Sequence, residues 1–199
     1  MTVKLLAFDG SGRADSLNGK ILDRVIEQAK AHGAEITRIN LHDFNLPLYD
    51  LADEISDGLP ESVLKLKALF NTHDGFLIAS PEHNGTMTAL LKNAIDWASR
   101  ASEEFAQIEV FKGKTAAIMT ASPGAFGGIR CLNHLRGVLT IMLVHVLPAE
   151  IAVSFVKDKF DGDSEQMTDE KMKQILENLG ASLADSIKKM RGEIAAQTN

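Results

Sequence analysis

Thiols are almost missing from this chain, which has one cysteine, Cys131, in 199 residues. That excludes an intrachain disulfide, fits a reducing compartment and makes the cytoplasm the expected location. No apolar run reaches the roughly 18 residues a membrane-spanning helix needs, so none is expected. The first strand-like run begins at Val3, which leaves no room for a signal peptide. Basic blocks are missing as well. Lys and Arg number 21 against 27 Asp and Glu, a net charge of -6, so neither nucleic acid nor a membrane is an expected partner. The 6 histidines are scattered with no pair at metal-ligand spacing, and no metal site is expected. A Gly-x-Ser-x-Gly elbow is absent too, since Ser11 follows Asp9-Gly10. A nucleophilic triad therefore has no support, and no side chain is assigned as catalytic.

Two familiar phosphate motifs fail on spacing. In a Gly-x-Gly-x-x-Gly loop Gly10 and Gly12 fit, but the third glycine position is Asp15. A Walker loop fails because six residues separate Gly12 from Gly19 and Lys20 is followed by Ile21. What is present instead is an apolar run, Val3 to Phe8, that breaks at Asp9-Gly10. A small polar loop from Ser11 to Ser16 carries Arg13, and a helical pattern begins near Asn18. Such a strand–loop–helix turn can hold a terminal phosphate. Backbone N–H groups and the positive end of the helix dipole face the anion, Ser and Asn donate hydrogen bonds, and Arg adds charge. An ordinary turn in which Ser16 or Asn18 merely caps the helix accounts for the loop equally well.

Hydrophobic content of 45% and charged content of 24% are those of a soluble globular protein, and the length suits one domain over residues 1–199. Strands are expected at 3–8, 34–40, 75–79, 115–120 and 143–148. Helices are expected at 18–31, 60–71, 88–101, 128–142 and 169–191. Ile21, Leu22, Val25, Ile26 and Ala29 recur at helical spacing, as do Ile175, Leu176, Leu179, Leu183 and Ile187. Nearly continuous apolar strands alternating with helices predict an α/β fold, a doubly wound five-stranded parallel sheet of flavodoxin-like order 2-1-3-4-5 with helices on both faces. Residues 41–59, 102–112 and 156–168 break the alternation as long connectors.

Ligands of such sheets bind beyond the carboxyl ends of the strands. The expected third strand is followed by Ser80-Pro81-Glu82-His83-Asn84-Gly85-Thr86, the fourth by Ala121-Ser122-Pro123-Gly124-Ala125-Phe126-Gly127-Gly128. Proline ends each strand, and small residues lead on to a helix. Loops of this kind expose N–H and C=O groups, which suits a flat heteroaromatic ring with a polar rim. A phosphate at one end and such a ring at the other describe flavin mononucleotide, FMN. Other residues have plain readings. Asp96 and Arg100 are spaced for an ion pair, Trp97 belongs to a core or an interface, and Cys131 is a packed thiol.

These loops and the helix after them resemble the NAD(P)H-dependent FMN reductase family, in its quinone and chromate reductase branch. Its Gly-Ser-x-Arg-x-x-Ser-x-Asn loop is matched at Gly10, Ser11, Arg13, Ser16 and Asn18. Its Pro-Glu-Tyr-Asn-Gly loop is matched at Pro81, Glu82, Asn84 and Gly85. The Leu-Lys-Asn-Ala-Ile-Asp-Trp helix is matched from Leu91 to Trp97, and a Ser-Pro-Gly-x-Phe-Gly-Gly segment from Ser122 to Gly128. The resemblance implies that Ser11, Arg13, Ser16, Leu17 and Asn18 hold the FMN phosphate. It also implies that Pro81, Glu82, His83, Asn84, Gly85, Ser122, Pro123 and Gly124 line the ring, with N–H groups around Asn84, Gly85 and Gly124 stabilising reduced flavin. The implied reaction passes hydride from NADPH or NADH through FMN to a quinone, flavin or similar small acceptor. Alternatives are a reductase that supplies free reduced FMN to a monooxygenase and a non-enzymatic FMN carrier or sensor.

His83 stands where the family usually has tyrosine, and Thr88 where proline is common. An imidazole at that place is smaller and more polar, which bears on the acceptor more than on the cofactor. Beyond Ile151 the chain carries no family motif. Members are commonly homodimers or homotetramers with flavin near the subunit contact. The apolar faces carrying Trp97, Ile129 and Leu132 are the expected contact.

Overall fold

A computed structural model describes residues 2–162 and 166–192. A parallel sheet runs in the order β2-β1-β3-β4-β5, made by β1 (Val3–Asp9), β2 (Ala34–Arg38), β3 (Gly75–Ala79), β4 (Thr115–Ala121) and β5 (His145–Val146). β3 and β4 are buried along their whole length and β1 at every residue but Lys4, so they read as nearly continuous apolar runs. Successive residues point to opposite faces and feed two cores. Leu5 and Ala7 pack with α1 (Leu17–Ala31) and α6 (Glu170–Met190). Leu6 and Phe8 pack on the opposite side, where Phe8, Phe70, Phe76 and Phe111 meet ring to ring at 5.0–6.4 Å. Around them lie α3 (Glu61–Thr72), α4 (Ala89–Ala98) and α5 (Ile129–Ile141). Where α1 crosses α6, Gly180 lies so close that a Cβ there would collide with the Val25 carbonyl and stand 3.1 Å from Ala29 N.

The expected fifth strand, 143–148, is cut to two residues, and a sixth strand that was not expected lies beyond it. β5 pairs with the start of β4, and a further short strand, β6 (Ile151–Val153), pairs with its end. Pro148 lies between them and has no N–H for the ladder. Arg136 occupies the break, donating to the carbonyls of Val146 and Leu147 at 3.4 and 2.8 Å and pairing with Glu150 at 2.9 Å.

The connector at 41–59 holds structure the sequence pattern did not announce, a 3₁₀ turn (Leu41–Phe44) and α2 (Leu51–Asp57). None of the residues of α2 is buried, so no apolar stripe marks it. Its ends are set by Asp50, which accepts from Ala52 N–H, and by Gly58 at φ 75°. Glu54 ties it to Arg100, 2.8 Å away. The expected Asp96–Arg100 pair is thus not made. α4 stops at Ala98, which turns Arg100 toward α2, and Asp96 pairs with Lys92 at 2.7 Å instead. Trp97 and Leu132 do not reach the surface. The Trp97 indole is packed edge-on against Tyr49 and donates to the Pro47 carbonyl at 2.8 Å, while Ile129 remains exposed. Among the described residues no helix is long and apolar enough to cross a membrane.

Candidate cofactor site

The loops after β1, β3 and β4 meet at the carboxyl ends of the strands. In the first, Asp9 is the organising residue. Its Oδ1 accepts from Ser11 N–H at 2.8 Å and from the Ser16 hydroxyl at 3.2 Å, and its Oδ2 accepts from Arg38 Nη2 at 2.9 Å. Ser16 Oγ also accepts from Gly19 N–H at 3.0 Å, so it is the N-cap of α1. Both groups of the Asn18 amide are taken by the backbone of Ala121, which fastens α1 to the end of β4. Ser16 and Asn18 therefore spend their side chains inside the protein.

The N–H groups of Leu17 and Asn18, in the first helical turn, have no intrahelical partner. Ser11, whose hydroxyl accepts from Arg13 N–H at 3.2 Å, lines the same cavity wall. Arg13 forks onto Asp15 at 2.9 and 2.6 Å. This hydrogen-bonded pairing holds the Asp15 carboxyl below its usual range and the Arg13 guanidinium above its own. With side chains 74% and 69% exposed, the pair is worth little and is easily given up for a better anion.

In the second loop His83 and Thr86 exchange backbone hydrogen bonds at 2.9 and 3.1 Å around Asn84 and Gly85, at φ 52° and 82°. Two consecutive left-handed residues make the primed turn that Asn-Gly favours. The Glu82 carboxylate accepts from Arg130 N–H at 3.0 Å and from Arg130 Nε at 2.7 Å. A negative charge thereby sits at the N-terminus of α5 and fixes the hairpin to that helix. In the third loop Ser122 Oγ accepts from Gly124 N–H at 3.0 Å, while the carbonyls of Ser122 and Gly124 accept from Val156 and Phe155. Thr88 caps α4 by accepting from Leu91 N–H, and its hydroxyl donates to the Gly10 carbonyl at 2.7 Å, a bond that proline could not make. The Cys131 thiol is buried against the Ser80 carbonyl, and burial pushes its pKa up, which suits packing rather than attack.

Two adjoining cavities run between these loops. The larger, about 630 Å³, is walled by Ser11, Arg13, Ser16, Leu17 and Asn18 on one side and by Pro81, Glu82, His83, Ser122 and Pro123 on the other. The second, about 480 Å³, continues past Glu82 and Ser122 to Asn84, Gly85 and Gly124. Both volumes suit a ligand of nucleotide size. Every sequence-predicted site residue thus lines one or the other. Sequence reasoning missed Asp9 and Arg38, which stand behind the first loop, Lys157, Phe160 and Asp161, which close the larger cavity, and Phe126 and Arg130, which flank the smaller. A carboxylate at the end of a buried strand was the one available signal for Asp9. Lys157 and its neighbours lay in a connector recognised only for its length.

The family model described as NADPH-dependent FMN reductase matches residues 3–158. The chain is 34% identical over 191 residues to the NAD(P)H-dependent FMN reductase PA1204 of Pseudomonas aeruginosa, covering 96% of this chain and 98% of that protein. It is 31% identical over 170 residues to the quinone reductase of Escherichia coli K12, covering 84% and 86% of the two chains. Among solved structures, the flavoenzyme NAD(P)H:(acceptor) oxidoreductase FerB from Paracoccus denitrificans matches with a TM-score of 0.79. The identity is 29%, over 94% of this chain and 98% of that one.

Proposed function

The chain belongs to the NADPH-dependent FMN reductase family, and on that premise we propose that it passes hydride from NAD(P)H through FMN to a quinone-like small acceptor. It is an oxidoreductase whose cofactors are FMN and NAD(P)H. The observation that carries our reading of the site is the convergence of three strand-end loops on two adjoining cavities of nucleotide size. When bound, FMN supplies the two-electron chemistry between donor and acceptor.

The protein's own part is to bind and orient. On this reading the Ser11 hydroxyl, the Arg13 guanidinium and the N–H groups of Leu17 and Asn18 hold the phosphate. Ser16 and Asn18 side chains keep the loop in shape through Asp9 and Ala121. The segments from Pro81 to Gly85 and from Ser122 to Gly124 border the ring. N–H groups at Asn84 and Gly85 offer hydrogen bonds where negative charge develops on reduction, whereas the Gly124 N–H, also expected there, already donates to Ser122 Oγ. No side chain of the chain need act as a covalent catalyst.

Self-association into a homodimer or homotetramer is part of the reading. Leu48 and Ile55, 80% and 78% exposed on the segment that flanks α4, offer apolar surface to a second copy. Protein reconstituted with FMN, reduced anaerobically by NADPH and then mixed with a benzoquinone should regain its oxidised flavin spectrum within the mixing experiment. Flavin that stays reduced in quinone but reoxidises with free FMN contradicts the quinone assignment.

A further inference from the structure

We propose that Arg38, through its ion pair with Asp9, sets the site's preference for a phosphorylated flavin, an inference that rests on the FMN reading of the first loop. Asp9 ends β1 with a side chain only 8% exposed. Both residues that bond its Oδ1, Ser11 and Ser16, line the larger cavity. The carboxylate therefore stands one hydrogen bond away from the wall of the place where a phosphate would sit. A Cβ built on Gly19, in the first turn of α1, would lie 3.3 Å from both Asp9 Oδ2 and Arg38 Nη2. The pair thus abuts the helix terminus whose dipole attracts anions. The chain has put its own anion at the pole that a phosphate needs.

A second negative charge brought close to this buried carboxylate is repelled strongly. Arg38 Nη2, 2.9 Å from Asp9 Oδ2, turns the carboxylate into a neutral unit. Arg38 is no part of the cavity wall, so it acts on the ligand through charge and not through contact. Its other bonds, to the Ile39 carbonyl at 3.1 Å and to the exposed Asp23 at 3.3 Å, hold the guanidinium in place. Asp23 faces solvent, where its charge is screened. Arg38 is a positioning and charge-compensating residue. A merely structural role for it would weaken every flavin alike. Charge compensation weakens only the ligand that carries the phosphate, because riboflavin brings no charge to the loop.

The test titrates the apoprotein with FMN and with riboflavin, following flavin fluorescence, for the wild type, Arg38→Lys, Arg38→Gln and the double variant Asp9→Asn/Arg38→Gln. Arg38→Gln should bind FMN about 10- to 100-fold more weakly while riboflavin moves less than about threefold. Arg38→Lys should keep the preference, and the double variant, with no anion left to neutralise, should recover most of it. Equal losses for both flavins, no loss of FMN, or a double variant as weak as Arg38→Gln would overturn the inference, as would a wild type with equal affinity for both. If Arg38→Gln does not fold, the double variant decides, since lost FMN preference there contradicts the proposal and retained preference supports it. A wild type that binds neither flavin overturns the FMN reading instead.

Discussion

The Asn18 amide makes two hydrogen bonds to the backbone of Ala121, donating to its carbonyl at 3.0 Å and accepting from its N–H at 2.9 Å, across 103 positions of sequence. The first turn of α1 and the end of β4 are thereby locked together, and with them two of the three loops of the site. Asn18→Asp removes the donor and sets a carboxylate against a carbonyl, so it should cost about 1–3 kcal/mol in urea unfolding. FMN should be lost on gel filtration even though the backbone N–H of residue 18 is unchanged. Retained stability with weakened FMN would instead make the side chain a direct phosphate ligand.

Arg13 should behave in the opposite way. Its pair with Asp15 is exposed and contributes little to the fold. Arg13→Ala should leave the melting temperature unmoved and weaken FMN by about 10-fold or more at low salt. The difference from wild type should shrink as salt rises. A melting temperature that falls with FMN affinity unchanged would remove Arg13 from the site.

The close crossing at Gly180 predicts a packing defect. Gly180→Ala would press a methyl group onto the Val25 carbonyl, and α1 with α6 would have to move apart. The expected cost is about 1–3 kcal/mol in denaturant unfolding. On the proposed reading α1 also offers its first N–H groups to the phosphate, so FMN affinity should fall as well. Unchanged stability would mean that the two helices are less tightly apposed than the structure has them.

Much of the fold was legible because the local pattern and the final environment agree. Residues 75–79 form an uninterrupted apolar run flanked by breakers, and they became a strand buried along its length. Agreement failed where the deciding partner is remote. α2 turns Leu51 and Ile55 outward and is held by Glu54 to Arg100, so no local stripe betrays it. Arg100 was matched to Asp96 by spacing alone, a rule that lapses once the helix has ended. Of the site, the wall residues could be read from the motifs at Gly10, Pro81 and Ser122. The Asp9–Arg38 pair behind them could not, because it joins strands 29 positions apart. The division of labour within the first loop was open as well. Ser16 carries a residue type that either caps a helix or binds phosphate, and only its bonds to Gly19 and Asp9 separate the two.

Asp169 links the last helix to acid stability. It accepts from Lys159 Nζ at 2.5 Å and caps α6 through Met172 N–H, and these bonds, the lysine's first, hold its pKa below the ordinary 3.8. Folded protein therefore binds this proton less readily than unfolded protein does. The stabilisation is complete above 3.8 and is lost as the pH falls through the lowered folded value. Asp169→Asn keeps a cap oxygen but not the charge, so its stability should differ from wild type at pH 6 and converge with it in strong acid. A constant difference between pH 6 and pH 2 in thermal melts would contradict this.

The central claim is that these loops hold FMN where NAD(P)H can reduce it. Its most direct test is the visible spectrum of FMN-loaded protein, freed of excess flavin by gel filtration, before and after anaerobic NADPH. The account predicts a protein-bound flavin band that bleaches at about one equivalent of NADPH per flavin, as a single hydride transfer requires. A band that remains after excess NADPH, or protein that emerges without flavin, would contradict it.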